Sequence, residues 1–310
     1  MSKTVLLATE KPFSPAARDQ VLAVLKEAGY AAKVLEKYGG KTDLVDALKG
    51  AQAVIVRSDI IDAEVLAQAP ELELVVRAGA GYDNVDCAFA KERGIAVMNT
   101  PGQNANAVAE LVFGMMVYMT RGKFDGATGT ELRDKTLGIH AMGAVGRAVA
   151  RIAQGFGMRT QAYDAFVKPE AIRAAGADPV PSVDELYRSC QYVSLHIPAN
   201  AQTKRSIGKD LLLAMPKGAT LVNTARQEVI KEDELVGVFE AREDFRYLTD
   251  IAPSDAVLGT LNQRFGSRFF VTPKKMGAQT LEANENAGLA AARQIVGFFE
   301  RGEKQFIVNP

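Results

Sequence analysis

The chain has 310 residues, 47% of them hydrophobic, and its 37 basic and 37 acidic residues cancel to a formal net charge of zero. That length allows two domains with a substantial core each. The balanced charge excludes a field that would draw the chain to nucleic acid or to an anionic membrane, so a small-molecule partner is expected.

The N-terminal run Met1-Ser2-Lys3-Thr4-Val5-Leu6-Leu7-Ala8-Thr9 is too short in its apolar part for a signal peptide, and no later apolar run is long enough to cross a bilayer. A soluble, cytoplasmic protein is expected. Cys87 and Cys190, the only cysteines, lie far apart and outside any metal-type spacing, so two reduced thiols and no metal site are expected.

Short apolar runs at residues 5–8, 32–35, 53–56, 74–76 and 96–98 alternate with polar or amphipathic segments, which predicts a small parallel α/β domain. Ser14 followed by Pro15 suits an N-cap and first helical position, and Ser182 with Glu185 fits a capping box. Residues 104–121 read as a long apolar helix that could cross between domains. Further strands are expected at 137–140, 160–163, 192–195, 220–222, 247–249 and 269–271. A last helix over 278–301, followed by a strand-like 306–308, would return the tail to the first domain and leave a cleft between the two.

The most specific stretch is 137–164. A strand ending at His140 runs into Ala141-Met142-Gly143-Ala144-Val145-Gly146, a helical pattern follows, and a second strand ends on Asp164. This is the layout of a dinucleotide-binding unit. Gly143 lets the backbone approach a pyrophosphate, and the helix N-terminus attracts it. Gly146 allows close helix-to-strand packing. Asp164 would accept hydrogen bonds from the ribose hydroxyls and repel a 2′-phosphate, so NAD is expected over NADP. The first glycine of the usual pattern is Ala141, which fits if its φ is negative.

The runs Val76-Arg77-Ala78-Gly79-Ala80-Gly81-Tyr82-Asp83-Asn84-Val85-Asp86, Asn99-Thr100-Pro101, Val108-Ala109-Glu110-Leu111, Ser194-Leu195-His196-Ile197-Pro198 and Val222-Asn223-Thr224-Ala225-Arg226 together resemble the D-2-hydroxyacid dehydrogenases. Thr9-Glu10-Lys11-Pro12-Phe13, Val54-Ile55-Val56-Arg57-Ser58 and Thr100-Pro101-Gly102-Gln103-Asn104 look most like that family's phosphoglycerate dehydrogenase branch, in its short form without an appended regulatory domain. The resemblance implies an α/β fold of two doubly wound parallel-sheet domains: a discontinuous substrate-binding domain at 1–99 and 283–310, and an inserted NAD-binding Rossmann domain at 100–282. It implies NAD-dependent oxidation of 3-phospho-D-glycerate in serine synthesis, and a homodimer. Glyoxylate or hydroxypyruvate reduction, and a non-catalytic NAD(H)-sensing scaffold, stay open as alternatives.

Carried over residue by residue, the resemblance makes Arg226 the fork that grips the substrate carboxylate and carbonyl, or else a partner of Glu228. Asp250 becomes the acid beside the nicotinamide, or a simple cap. Gly143, Ala144, Val145, Gly146, Asp164, His196, Ala225 and Asp250 would contact the cofactor. Arg57 and Ser58 would hold a substrate phosphate, unless Arg57 pairs with Asp59. Ala80 and Gly81, within the run 78–81, would offer backbone N–H groups to the carboxylate, and Asn104 and Lys274 further polar contacts.

The departure lies in Thr272-Pro273-Lys274-Lys275-Met276-Gly277, where the family reads Thr-Pro-His-Ile-Gly. His140 and His196, the only histidines, read as packed side chains. Counting from the helix side puts Lys275 in the histidine's place, with Lys274 as fallback, and resembles the short phosphoglycerate dehydrogenases that use lysine. Asp255 falls where the family has the histidine's glutamate partner, or is a solvated acid. A lysine base must be neutral, and free lysine titrates at about 10.4. Positive charge from Lys274 and Arg226, desolvation and the helix N-terminus are expected to lower it. If the lysines only bind negative charge, activity is lost.

Overall fold

The computed structural model describes residues 3–310; Met1 and Ser2 of the N-terminal run lie outside them. The chain divides into two compact units, one of residues 1–104 with 280–310 and one of residues 105–279. These divisions fall at the starts of two long helices, against the 99/100 and 282/283 expected from sequence.

The first unit runs β1 (Thr4–Thr9), α1 (Pro15–Glu27), β2 (Ala31–Glu36), α2 (Lys41–Leu48), β3 (Ala53–Val56), α3 (Ala63–Ala67), β4 (Leu74–Arg77), α4 (Cys87–Glu92) and β5 (Ala96–Asn99). Its five strands are parallel in the order β2-β1-β3-β4-β5. Separate hydrophobic clusters cover the two faces, so β3 and β4 read as unbroken apolar runs. Ser14 caps α1 by accepting the Ala17 N–H at 3.1 Å, with Pro15 following as the cap pattern requires.

The second unit opens with α5 (Ala105–Thr120), whose buried residues Ala105, Ala109, Val112, Phe113, Met115, Met116 and Met119 join one of this unit's hydrophobic clusters. The second unit continues β6 (Thr136–His140), α6 (Ala144–Gly155), β7 (Arg159–Tyr163), α7 (Pro169–Ala174), β8 (Asp178–Pro179), α8 (Val183–Ser189), β9 (Tyr192–Leu195), α9 (Lys209–Ala214), β10 (Thr220–Asn223), α10 (Glu232–Ala241), β11 (Arg246–Thr249), α11 (Asp255–Phe265) and β12 (Phe269–Val271). The strand order is β12-β11-β10-β9-β6-β7-β8, all parallel, again with a hydrophobic cluster on each face. This is the doubly wound order of dinucleotide-binding sheets, and its direction reverses between β6 and β9. Ser182 caps α8 through the Glu185 N–H.

The last helix, α12 (Leu281–Arg301), belongs to the first unit; Thr280 caps it by accepting the Ala283 N–H. The tail after it is not a strand. It makes one isolated antiparallel bridge, Ile307 to Met98, and stays against β5 through the Val308 N–H, which donates to the Val97 carbonyl at 2.8 Å, and the Asn309 side chain, which accepts the Val97 N–H and donates to the Ile95 carbonyl. Among the described residues no helix is long and apolar enough to cross a membrane.

The turn from β6 into α6 is held by packing that tolerates no added atom. A Cβ on Gly146 would lie 2.2 Å from the Ala141 carbonyl oxygen and 3.1 Å from Ile139 Cγ2. Backbone cannot yield as a flexible side chain can, so Gly146→Ala is expected to cost about 3 kcal/mol in denaturant unfolding. A loss within experimental error of zero would refute this account of the turn.

Candidate active site

Ala141 adopts φ +84°, opposite to the negative value expected from sequence. An alanine therefore holds the conformation that glycine usually supplies, at a strain of about 1 kcal/mol or more. Its N–H donates to the Tyr163 carbonyl at 2.9 Å, continuing the β6–β7 ladder into the turn. Gly143 then stands as the N-cap of α6 with no side-chain cap, and a Cβ there would meet nothing within 4 Å. Unlike Gly146, Gly143 is not needed by the packing. The space beside it, and the first-turn N–H groups of Ala144, Val145 and Gly146, are available to an anion.

Asp164 organises this turn. One carboxylate oxygen accepts the Met142 N–H at 2.7 Å; the other accepts the N–H groups of Phe166 at 2.8 Å and Val167 at 3.1 Å. A carboxylate offers about four lone-pair sites, so about one remains beyond these three amides. Beside it lies a mostly apolar cavity of about 290 Å³, lined by His140, Asp164, Val183, Ile197 and Pro198 among others. Phe166 stands at its lip, 93% exposed. Asn200, Gln202 and Thr203, which also line it beyond the run 194–198, and the exposed Phe166 were not singled out from sequence. Their signal is positional, because ligands settle at the strand C-termini where the sheet order reverses.

His196 does not line the cavity; its neighbours Ile197 and Pro198 do. Its N–H donates to the His140 carbonyl at 2.9 Å, extending the pairing of β6 with β9. Burial pushes the His140 imidazole down to about 4 and that of His196 to about 3, His196 being further depressed by His140. Both are neutral at physiological pH and too weakly basic there for general acid–base work.

Three adjacent strands end on buried polar atoms with no hydrogen-bond partner among the described residues: His196 Nε2 after β9, Thr224 Oγ1 after β10 and Asp250 Oδ1 after β11. Such groups are costly unless a ligand completes them. An amide-bearing ring lying across these strand ends would supply the missing donors and acceptors, so the unit's own residues fit a nicotinamide dinucleotide. The other oxygen of Asp250 accepts the Gly277 N–H at 2.7 Å and the Met276 N–H at 3.3 Å. Burial raises the Asp250 carboxyl, opposed by those two amides and by the charge of Lys275.

The loop carrying the two lysines is thus pinned at both ends, by Asp250 at Met276-Gly277 and by Thr272 Oγ1, which donates to the Lys274 carbonyl at 2.7 Å. Lys274 and Lys275 are exposed at its tip. The charge acting between Lys275 and its surroundings includes the negative Asp250, where the sequence reading expected positive neighbours and desolvation. Arg226 is half-buried just past β10, with one Nη donating to the Ala225 carbonyl at 2.8 Å. Its loop is shaped by buried Asn223, whose side chain accepts the Ala225 N–H and donates to the Arg226 carbonyl. Asp255 is exposed in the first turn of α11, where an acid already complements the helix dipole.

In the first unit, Arg57 follows β3 and is half-buried, with exposed Ser58 beside it. The expected alternative of an Arg57–Asp59 ion pair is not formed. The Asp59 oxygens accept the main-chain N–H groups of Arg57 and Glu10 and the Tyr38 hydroxyl. In the glycine run, the Ala78 N–H donates to the Val56 carbonyl at 2.8 Å and the Gly79 carbonyl accepts the Thr100 N–H at 2.9 Å. Asn104 is half-buried immediately before α5.

The comparisons agree with this geometry. Residues 106–265 match the family described as D-isomer specific 2-hydroxyacid dehydrogenase, NAD binding domain. The chain belongs to that family, and its second unit carries the family's NAD-binding domain. It superposes on a crystal structure of NAD+-bound 3-phosphoglycerate dehydrogenase from Entamoeba histolytica with a TM-score of 0.89 and 44% identity, over 100% of this chain and 99% of that one. It is 32% identical over 291 residues to D-3-phosphoglycerate dehydrogenase of Methanocaldococcus jannaschii, covering 86% of this chain and 54% of that protein. It is 31% identical to hydroxypyruvate reductase of Thermotoga maritima, over 85% of this chain and 90% of that one. The chain thus spans about half the length of the curated phosphoglycerate dehydrogenases it matches.

Two outcomes follow. Gly143→Ala is expected to leave stability within about 0.5 kcal/mol while weakening NAD binding at least tenfold in a fluorescence titration; unchanged affinity would show that the space beside it is not the phosphate site. The second concerns pH. The unfolded chain protonates its histidines near 6.5, above the folded values of about 4 and 3. Stability from the neutral imidazoles is therefore complete above about pH 6.5 and drains as pH falls toward the folded values. The melting temperature of His140→Leu should fall less between pH 7 and pH 5 than that of the wild type, and equal falls would contradict the assignment.

Proposed function

We propose that this chain oxidises 3-phospho-D-glycerate to 3-phosphohydroxypyruvate with NAD, the entry step of phosphorylated serine synthesis. The observation that carries the reading is the row of orphaned polar atoms ending β9, β10 and β11, together with Arg226 presented just past β10. Bound NAD would supply the hydride acceptor. Gly143 to Gly146 and Asp164 would hold its pyrophosphate and ribose, and Ala225 and Asp250 would border its nicotinamide.

Arg226 would grip the substrate carboxylate and carbonyl oxygen with its planar fork. Arg57 and Ser58 would hold the phosphate, and the N–H groups of Ala80 and Gly81, with Asn104 and Lys274, would add polar contacts. Lys275, in neutral form, would take the proton of the 2-hydroxyl as hydride leaves. Its place next to the anchored Met276 supports Lys275 over Lys274. The charge of Asp250 favours the ammonium, so the base works better as pH rises. Asp255 would act as a distant partner of Lys275. The family resemblance supports a cytoplasmic homodimer.

A second reading, reduction of glyoxylate or hydroxypyruvate, is favoured by the Thermotoga maritima relative, which the chain matches over 90% of its length. Those substrates carry no phosphate, so Arg57→Ala separates the readings: a raised KM supports the phosphorylated substrate and an unchanged one the alternative. A scaffold that binds NAD(H) without turnover is the outcome if no 2-hydroxyacid is oxidised.

The deciding assay is NADH production from 3-phosphoglycerate between neutral and alkaline pH. Activity is expected to rise with pH and to fall about 100-fold or more in Lys275→Ala, with NAD affinity within about twofold and Lys274→Ala far less affected. Turnover of Lys275→Ala within a few-fold of wild type would rule out the lysine base.

A further inference from the structure

Arg57 is held in an unusual way for a half-buried guanidinium. Its Nη1 donates to the carbonyls of Lys11 at 2.8 Å and Pro12 at 3.0 Å, its Nη2 donates to Asn284 Oδ1 at 2.5 Å, and its head lies 5.1 Å from the Phe13 ring centroid. All three acceptors are neutral, and Arg57 makes no ion pair among the described residues. The nearest acid, Asp59, has both oxygens occupied by other donors, although its charge still acts on the guanidinium. A cation fixed in place by neutral groups keeps its charge for an incoming anion; one fixed by a carboxylate would not.

Asn284 is built to do this. It lies in the first turn of α12, where its own Nδ2 donates to the Thr280 carbonyl at 2.8 Å, so its oxygen is aimed at Arg57. Further along the same helix, Gly288 leaves room for the Phe13 ring; a Cβ there would lie 3.2 Å from Phe13 Cε1. Arg57 stands at the C-terminal end of β3, next to β1, where the sheet order β2-β1-β3-β4-β5 reverses.

We infer that Asn284 is a positioning residue that fixes the Arg57 guanidinium through a neutral oxygen and so preserves a full positive charge for the phosphate of the substrate. This inference rests on the assignment of Arg57 to that phosphate made above. An aspartate is nearly the same shape but brings a carboxylate to the same Nη, so the substitution changes charge with little change in packing.

The test compares the wild type with Asn284→Asp and Asn284→Ala. Asn284→Asp should raise the KM for 3-phosphoglycerate about tenfold or more with kcat and the KM for NAD within about threefold, the pattern of lost uniform binding. Asn284→Ala, which frees Arg57 without neutralising it, should raise it less. A purely structural role would instead lower kcat and NAD affinity together, and that result, or an unchanged KM in Asn284→Asp, overturns the inference. Thermal stabilisation by inorganic phosphate, read on the same proteins, separates the two claims. A phosphate response in the wild type that Asn284→Asp abolishes, without turnover of 3-phosphoglycerate, would overturn the proposed substrate and leave the inference standing. No response in the wild type and no turnover would overturn both.

Discussion

The second unit depends on a single carboxylate. Asp164 closes β7 and binds three main-chain N–H groups, one from the turn after β6 and two from its own loop. It ties two parallel strand ends together at the point where an alanine is forced to positive φ and a glycine helix start must stay open. Without it the Met142 amide would lack its acceptor, and the strained Ala141 conformation would lose the contact that over-determines it. The same group borders the apolar cavity. Its structural task and its proposed selection of a ribose over a 2′-phosphorylated ribose would therefore fall to one charge in one place.

A similar economy marks the ends of β9, β10 and β11. Strands buried on both faces have no water to satisfy polar side chains, yet each of these three ends on an unpartnered polar atom. Asp250 shows the division within one side chain: one oxygen pins the lysine loop and the other has no partner among the described residues.

The sheets were legible because parallel strands covered on both faces must be almost wholly apolar, and the runs at 53–56, 192–195 and 220–222 stand out in any polar chain. β8 was not legible, since two residues, Asp178 and Pro179, carry no periodicity and little apolar surface. The tail at 306–308 has the composition of a strand but forms a single bridge, because the Asn309 side chain, not its main chain, continues the contact with β5. Ala141 read as tolerable at negative φ; tertiary hydrogen bonding to Tyr163 decided otherwise. The setting of Arg57 was beyond sequence for another reason. Its local acid, Asp59, is consumed by main-chain amides, and the partner that matters, Asn284, is 227 positions away. Charge spacing along a chain reports possible ion pairs, not which donors reach a carboxylate first.

Calorimetric titration of the purified chain with NAD and NADP, in parallel with Asp164→Ala, tests the central claim most directly. The account predicts that NAD binds at least about tenfold more tightly than NADP and that removing the carboxylate erases most of that preference while weakening NAD. Equal or tighter binding of NADP by the wild type, or an Asp164→Ala variant that keeps the preference, would contradict it.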